Sequence, residues 1–334
     1  MKKHLTILVA IGILVTASSL FSLPAEAKEP DYPTKPITFY ISYNPGAATD
    51  LAVRPLLDAV GRQLGQPIVP INKVGGAGLV AAQAVITAKP DGYTLGSCAG
   101  SNALIQPHLP DSPYKDLNGF TFICNYGKFL LPVTVRADAP FKTWKEFIEW
   151  AKKSPKRAAK IASQGSRMQS PNAMVMWEIE QREQVEFSMI VFKGSADSLA
   201  ALLGGHITMD AGGITPQHIA SVKEGTLRVL SYMGKEKIPG FENVPSLYEL
   251  YGLESPSIMG VWGPKGLPPY IVEKLEAAFA NAARDPVFVS IMSKMNMPIV
   301  FMNKAEVEKQ VRETSPRVGK IIHALMAEEA KEKK

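Results

Sequence analysis

The stretch "ITFYISYNPGAATDLAVRPLLDAVGRQLG", residues 37–65, decides the fold. Its first seven residues carry the apolar and alternating pattern of a strand. Its second half places Val53, Leu56, Leu57, Val60 and Leu64 at i, i+3, i+4, i+7 and i+11, one apolar stripe along a helix. Between them lies "NPGAATD", residues 44–50, where Pro45 and Gly46 make the bend, Ala47 and Ala48 keep side chains small, and Thr49 or Asp50 opens the helix. Strand, tight turn and helix in that order are the unit of an α/β protein with a mostly parallel sheet.

Working outward, the unit recurs. Strands are expected at 37–43, 67–73, 93–98 and 121–127, with helices after "NPGAATD" and over 78–89. From about Leu130 a second series begins, with strands at 130–138, 158–166, 187–192, 206–213 and 227–233. Its helices carry start signals: Thr143 with Glu146 matches a capping box, while Ser170 before Pro171 and Thr215 before Pro216 are cap pairs. The segment 257–266 is again strand-like, and three helices follow at 268–285, 285–295 and 303–329. This last block has no sheet of its own, so its simplest packing is back on the first series. Two lobes then result, 28–129 with 255–334 and 130–254, joined by crossovers near Leu130 and Ser255, which implies a cleft and a hinge.

The first residues point to export. Lys2 and Lys3 precede the apolar "LTILVAIGILV" and then "LPAEA", whose Ala25 and Ala27 fit the small-residue pattern of a cleavage site. Residues 1–27 read as a signal removed near Ala27, and the mature chain as a periplasmic monomer. The apolar run is short of the roughly 20 residues a membrane span needs. The chain has 37 basic and 31 acidic side chains, a net charge of +6, and losing Lys2, Lys3 and Glu26 leaves +5. That excess is mild and unclustered apart from the terminal "KEKK", so nucleic acid is not an expected partner. The two cysteines, Cys98 and Cys124, stand in strand-like segments, and a single disulfide and two buried thiols are equally expected. No histidine or cysteine spacing suits a metal, and no cofactor motif is present.

Several turns are candidate sites. "NPGAATD" exposes a helix N-terminus, a seat for carboxylate or phosphate, yet lacks the GK[ST] of a nucleotide cradle and the G-x-S-x-G of a nucleophile elbow. Thr49 and Asp50 acting as plain helix caps would explain it equally well. Ser97, Ser101 and Asn102 follow the strand residues 93–96, at the end where open α/β sheets bind ligands. In the second series Gln164 to Ser170, Gly194 to Ser198 and Gly212 to Thr215 are comparable turns, and Arg167 offers a bidentate carboxylate contact. Pairing Ser97, Ser166 or Ser195 with His108, His206, His218 or His323 as a catalytic set has no local support.

Taken in order, residues 32–50, 64–78, 88–96, 191–209, 225–232 and 261–275 resemble the periplasmic receptors of tripartite tricarboxylate transporters, the Bug-type receptors. The resemblance runs from about Tyr32 to about Val311. It implies a two-lobed type II periplasmic binding fold that closes on a small carboxylate and delivers it to a membrane permease with one large and one small subunit. Carried over by position, it implies ligand contacts at Pro45, Gly46, Ala47 and Asp50, at Ser101 and Asn102, at Gly165 and Ser166, and at Asp210. Ala47 stands where the family usually has a second glycine, Asn102 lies in a segment that often holds a His, and 164–172 differs in length and content. The ligand implied is a di- or tricarboxylate, an aromatic acid or an acidic amino acid. The expectation is a non-enzymatic receptor; the alternative is an exported α/β hydrolase or lyase acting on a small carboxylate or ester.

Overall fold

The computed structural model describes residues 30–332 except 115–117, 130, 164, 165, 193, 236 and 239. The expected export signal, Leu130 and Gly165 therefore lie outside the described residues. The chain divides into residues 1–32, of which only 30–32 are described, without helix or strand, and residues 33–334, which hold everything below.

The deciding stretch folds as strand, turn and helix, although the strand stops at Ile41, the helix opens at Ala48 rather than Thr49 or Asp50, and Leu64 is only partly buried. Strand β1 (Ile37–Ile41) buries Ile37, Phe39 and Ile41 completely, and helix α1 (Ala48–Leu64) buries Val53, Leu56, Leu57 and Val60. Each such side chain contributes roughly 1.5–3 kcal/mol on leaving water, which fixes the helix against the sheet more firmly than its own propensity would. Next come β2 (Ile68–Asn72), α2 (Leu79–Ile86), β3 (Thr94–Ala99) and β4 (Phe120–Gly127). The second series is β5 (Pro132–Arg136), α3 (Trp144–Lys153), β6 (Lys160–Ser163), α4 (Pro171–Glu183), β7 (Ser188–Val191), α5 (Ser195–Leu203), β8 (Met209–Asp210), α6 (Pro216–Lys223) and β9 (Leu227–Tyr232). After α7 (Leu247–Tyr251) the chain ends with β10 (Met259–Pro264), α8 (Pro269–Ala282), α9 (Pro286–Lys294), β11 (Met302–Asn303) and α10 (Lys304–Glu332).

Two sheets result, one per lobe, in the orders β11-β4-β10-β3-β1-β2 and β7-β6-β8-β5-β9. Parallel pairs join β1 to β2 and β3, and β6 to β7 and β8. The sheets are more mixed than expected, and the crossovers explain why. Strand β4 runs toward the boundary between lobes, so β5, which starts there, runs away from it and lies antiparallel to β8 and β9. The return through Ser255 repeats this, and β10 inserts antiparallel between β3 and β4. The C-terminal block also adds a short strand, β11 on β4, where none was expected.

Helix starts bear out the cap signals, with one difference. Thr143 accepts from the Glu146 amide at 3.2 Å, but the Glu146 carboxylate reaches past the cap to the Lys142 amide at 2.7 Å. The strand expected over 206–213 shrinks to Met209–Asp210, after which the Gly212 amide turns back to the Asp210 carboxylate instead of extending the ladder. Helix α4 belongs in sequence to the second lobe, yet its Met174 and Trp177 pack with Val318, Ile321, Ile322 and Leu325 of α10. Arg317 of α10 binds the Glu178 carboxylate with Nε at 3.0 Å and donates to the Glu254 carbonyl at 3.3 Å, so that contact has a polar clasp beside its apolar centre.

Cys98 and Cys124 are free and buried. They sit on β3 and β4 with β10 between them, Gly260 facing Cys98 and Val261 facing Cys124. Two strand spacings put their Cα atoms roughly 9.5 Å apart, beyond the ~7 Å a disulfide spans.

Candidate functional site

In the first lobe the loops leaving β1, β2 and β3 meet at the carboxyl ends of the strands. Gly46 takes φ +80°, a conformation that favours glycine, and the Ala47 amide donates to the Asn44 carbonyl at 3.0 Å, closing the turn. Asp50 is only 3% exposed and is turned back into the loop. Its Oδ2 accepts the Gly46 amide at 2.9 Å, and its Oδ1 accepts Arg54 Nε and Asn72 Nδ2, each at 2.8 Å. Asn72 also donates to the Tyr43 carbonyl, and Arg54 Nη2 donates to Asn72 Oδ1, which closes the ring. Burial alone would raise the Asp50 pKa; the bonds from Arg54, Asn72 and Gly46 together with the Arg54 charge outweigh it and hold the carboxyl below its ordinary value.

The ring shapes the loop and leaves the helix end open. The N-cap of α1 is Ala47, with no side-chain oxygen to serve the first-turn amides of Ala48, Thr49 and Asp50. Asn44, Pro45 and Gly46 are exposed, and Ala47 is half-buried. Beneath the turn the Ser42 amide donates to Ser97 Oγ at 3.1 Å, and Ser101 bonds the Tyr43 hydroxyl. Asn102 is fully buried in the π-helical turn Ser101–Ile105, with its carbonyl held by Tyr114 Oη at 2.8 Å. Its Nδ2 has no hydrogen-bond partner among the described residues. Gly78 presses on it, since a Cβ there would sit 3.1 Å from both tips of the amide.

In the second lobe Asp210 ends β8 and is 2% exposed. Its Oδ1 accepts the Gly212 amide at 2.7 Å, and its Oδ2 lies 3.3 Å from His218 Nε2. His218 is equally buried and stands at the third position of α6, where Nδ1 meets the Thr215 amide at 3.2 Å and Thr215 Oγ1 at 2.8 Å. Both ring nitrogens are thus occupied, Nε2 by Asp210 and Nδ1 by the cap of α6. Ser195 opens α5, whose N-cap Gly194 again has no side chain, and Ser195 Oγ lies 3.3 Å from where a Cβ on Gly213 would be. Ser166 is exposed in the turn before α4. Arg167 faces away from a ligand role, bound to Glu180 at 2.7 Å and to the Phe187 carbonyl at 3.1 Å.

The second crossover reaches both groups of loops. Asn172, at the start of α4, donates to the Ala211 carbonyl at 3.1 Å and accepts from Ser255 Oγ at 2.9 Å. On the other side Gly100 lies so close to the Pro256 carbonyl that a Cβ would collide with it. Of the residues expected at the site, Pro45, Gly46, Ala47 and Asp50 border one turn, Ser101 and Asn102 lie in the π-helical turn after β3, Asp210 ends β8, and Ser166 sits in the turn before α4. Asn172, Ser195 and His218 were not singled out as ligand residues; His218 had a readable signal, its place three residues after the cap Thr215. A cavity of ≈ 20 Å³, room for about one water, lies at the crossovers among Phe129, Leu131, Tyr232, Ser255 and Ser257. Among the described residues no cluster of three or more His, Cys, Asp or Glu side chains could hold a metal, and no helix is long and apolar enough to cross a membrane.

Comparison with known proteins agrees with this architecture. Residues 52–326 match the model of the tripartite tricarboxylate transporter family receptor. A Cupriavidus necator protein described as the UPF0065 protein in the gbd 5′ region is 34% identical over 331 residues, covering 97% of this chain and 98% of that protein. The solved TctC solute-binding protein from Polaromonas superposes with a TM-score of 0.74 at 28% identity, over 88% of this chain and 99% of that one. MatC from Rhodopseudomonas palustris, solved with bound malate, shares the fold with a TM-score of 0.72 at 22% identity, over 87% of this chain and 100% of that one. The chain belongs to the tripartite tricarboxylate transporter receptors, periplasmic solute-binding proteins rather than enzymes.

Proposed function

We propose that this receptor traps a small organic carboxylate between the 44–50 and 99–102 loops of one lobe and the turns at 164–170, 194–198 and 210–215 of the other, and hands it to a membrane permease. The observation that carries this is the uncapped start of α1. Three first-turn amides without an intrahelical acceptor stand beside an exposed glycine turn and offer an anion hydrogen bonds and the positive end of the helix dipole. The serine hydroxyls and the buried Asn102 amide donor add neutral partners, so the charge of the ligand is met by dipoles. Lobes of 28–129 with 255–334 and of 130–254 close about the two crossovers. Residues 1–27 are removed at export, and the mature receptor acts as a monomer.

The malate in the Rhodopseudomonas neighbour makes a four-carbon dicarboxylate the first probe. Thermal shift of the mature protein against malate, adipate, citrate, glutamate and benzoate tests the proposal, because a ligand at 100 times its Kd adds about 2.7 kcal/mol to the folded state. A rise in Tm with at least one of them is expected, followed by a calorimetric stoichiometry of one. A flat response to all five defeats it.

A further inference from the structure

We infer that His218 is a positioning residue of the ligand site, setting the 211–215 turn through Asp210 and Gly212; the ligand role of that turn rests on the function proposed above. The third position of a capping box is ordinarily Glu or Gln, whose side chain reaches back to accept the amide of the cap. Here it is histidine, and the reason lies on its far side. Asp210, 2% exposed, faces the imidazole at 3.3 Å. A glutamate at 218 would cap α6 and set a second buried carboxylate against Asp210. A histidine avoids this: Nδ1 accepts the Thr215 amide while Nε2–H donates to Asp210, which fixes the tautomer.

With Oδ2 held by His218, the Asp210 carboxylate is rotated so that Oδ1 takes the Gly212 amide at 2.7 Å. The end of β8 and the start of α6 are thereby tied from beneath, while Asn172 holds the Ala211 carbonyl from the side. In this turn Gly213 and Ile214 are partly exposed, and Gly213 lies next to Ser195. A cap alone would hold Thr215 and the first turn of α6; it would not hold Gly212.

Site-resolved amide exchange on the whole protein separates these roles. Wild type is compared with His218→Ala, His218→Gln and His218→Glu, with malate affinity measured in parallel. The inference expects His218→Ala to speed exchange at Gly212 by roughly tenfold or more, as befits a lost hydrogen bond to a charged group. His218→Gln, which can accept from Thr215 and donate to Asp210, should restore protection. His218→Glu should keep Thr215 protected and lose Gly212. Unchanged Gly212 protection in both the Ala and Glu variants overturns the inference and leaves His218 a helix cap. Wild type with no affinity for malate or the other acids defeats the proposed function instead, and the exchange data still decide the role of His218.

Discussion

The turns that open α1 and α6 solve one problem in opposite ways. Each helix has at its third position a side chain that reaches back into the turn, Asp50 to Gly46 and His218 to Thr215. In α6 the cap Thr215 also serves the first-turn amide of His218, so the helix end is closed. In α1 the cap is Ala47, and the end stays open. A carboxylate shapes both turns, braced by Arg54 and Asn72 in the first and by His218 in the second. What differs is whether backbone donors remain for something outside the chain.

The most direct way to break the comparison is removal of the first brace. Asp50→Ala strips the Gly46 amide, Asn72 and Arg54 of their acceptor and should cost about 2 kcal/mol in urea unfolding. Since the folded pKa of Asp50 lies below its ordinary value, its contribution is present at neutral pH and is lost as pH falls through that lower value. The gap between wild type and Asp50→Asn should therefore be constant from about pH 5 to 8 and narrow in stronger acid. A gap that changes across the neutral range would mean that another group sets the loop.

The second lobe should show the opposite slope. Glu180, which anchors Arg167 behind the 166–170 turn, is pushed up to about 7 by burial despite the Phe187 amide and the Arg167 charge. A carboxyl raised on folding favours the folded state most fully below its unfolded pKa, and that contribution fades as pH rises toward 7. By linkage the change is at most roughly 3 kcal/mol. Glu180→Gln should flatten the stability profile between about pH 4.5 and 7.5, and an unchanged slope would reject Glu180 as its source.

The smallest effects exchange the two helix ends. Thr215→Ala opens α6 and should cost about 1 kcal/mol; Ala47→Ser closes α1 and should add about 0.5 to 1 kcal/mol. If the open end of α1 is the anion seat, Ala47→Ser weakens carboxylate binding while raising Tm. Binding unaffected by the new hydroxyl would put the anion elsewhere.

How much of this was legible follows from what is local. The strand from Ile37, the stripe from Val53 to Val60 and the caps at Ser170 and Thr215 depend on neighbours in sequence, and they fold as read. The inward turn of Asp50 was half legible: Arg54 stands at i+4, a readable ion pair, but Asn72 arrives only because β2 pairs with β1. The antiparallel insertion of β10 depends on where the chain re-enters a lobe, which no window of residues encodes. The contact of α4 with α10 is illegible for the same reason, joining residues some 150 positions apart, as in the bond from Trp177 to Glu328.

The strand that parts Cys98 from Cys124 has a consequence for how this receptor matures. Exported chains with paired thiols wait on an oxidant and pass through wrongly joined forms when more than one pairing is open. Here β10 completes the sheet between the two sulfurs, and both thiols are buried, with pKa values raised by that burial. A neutral, inaccessible thiol is a poor nucleophile. Once folded, the receptor is indifferent to the redox poise of its compartment, and reductant should leave its Tm where it was.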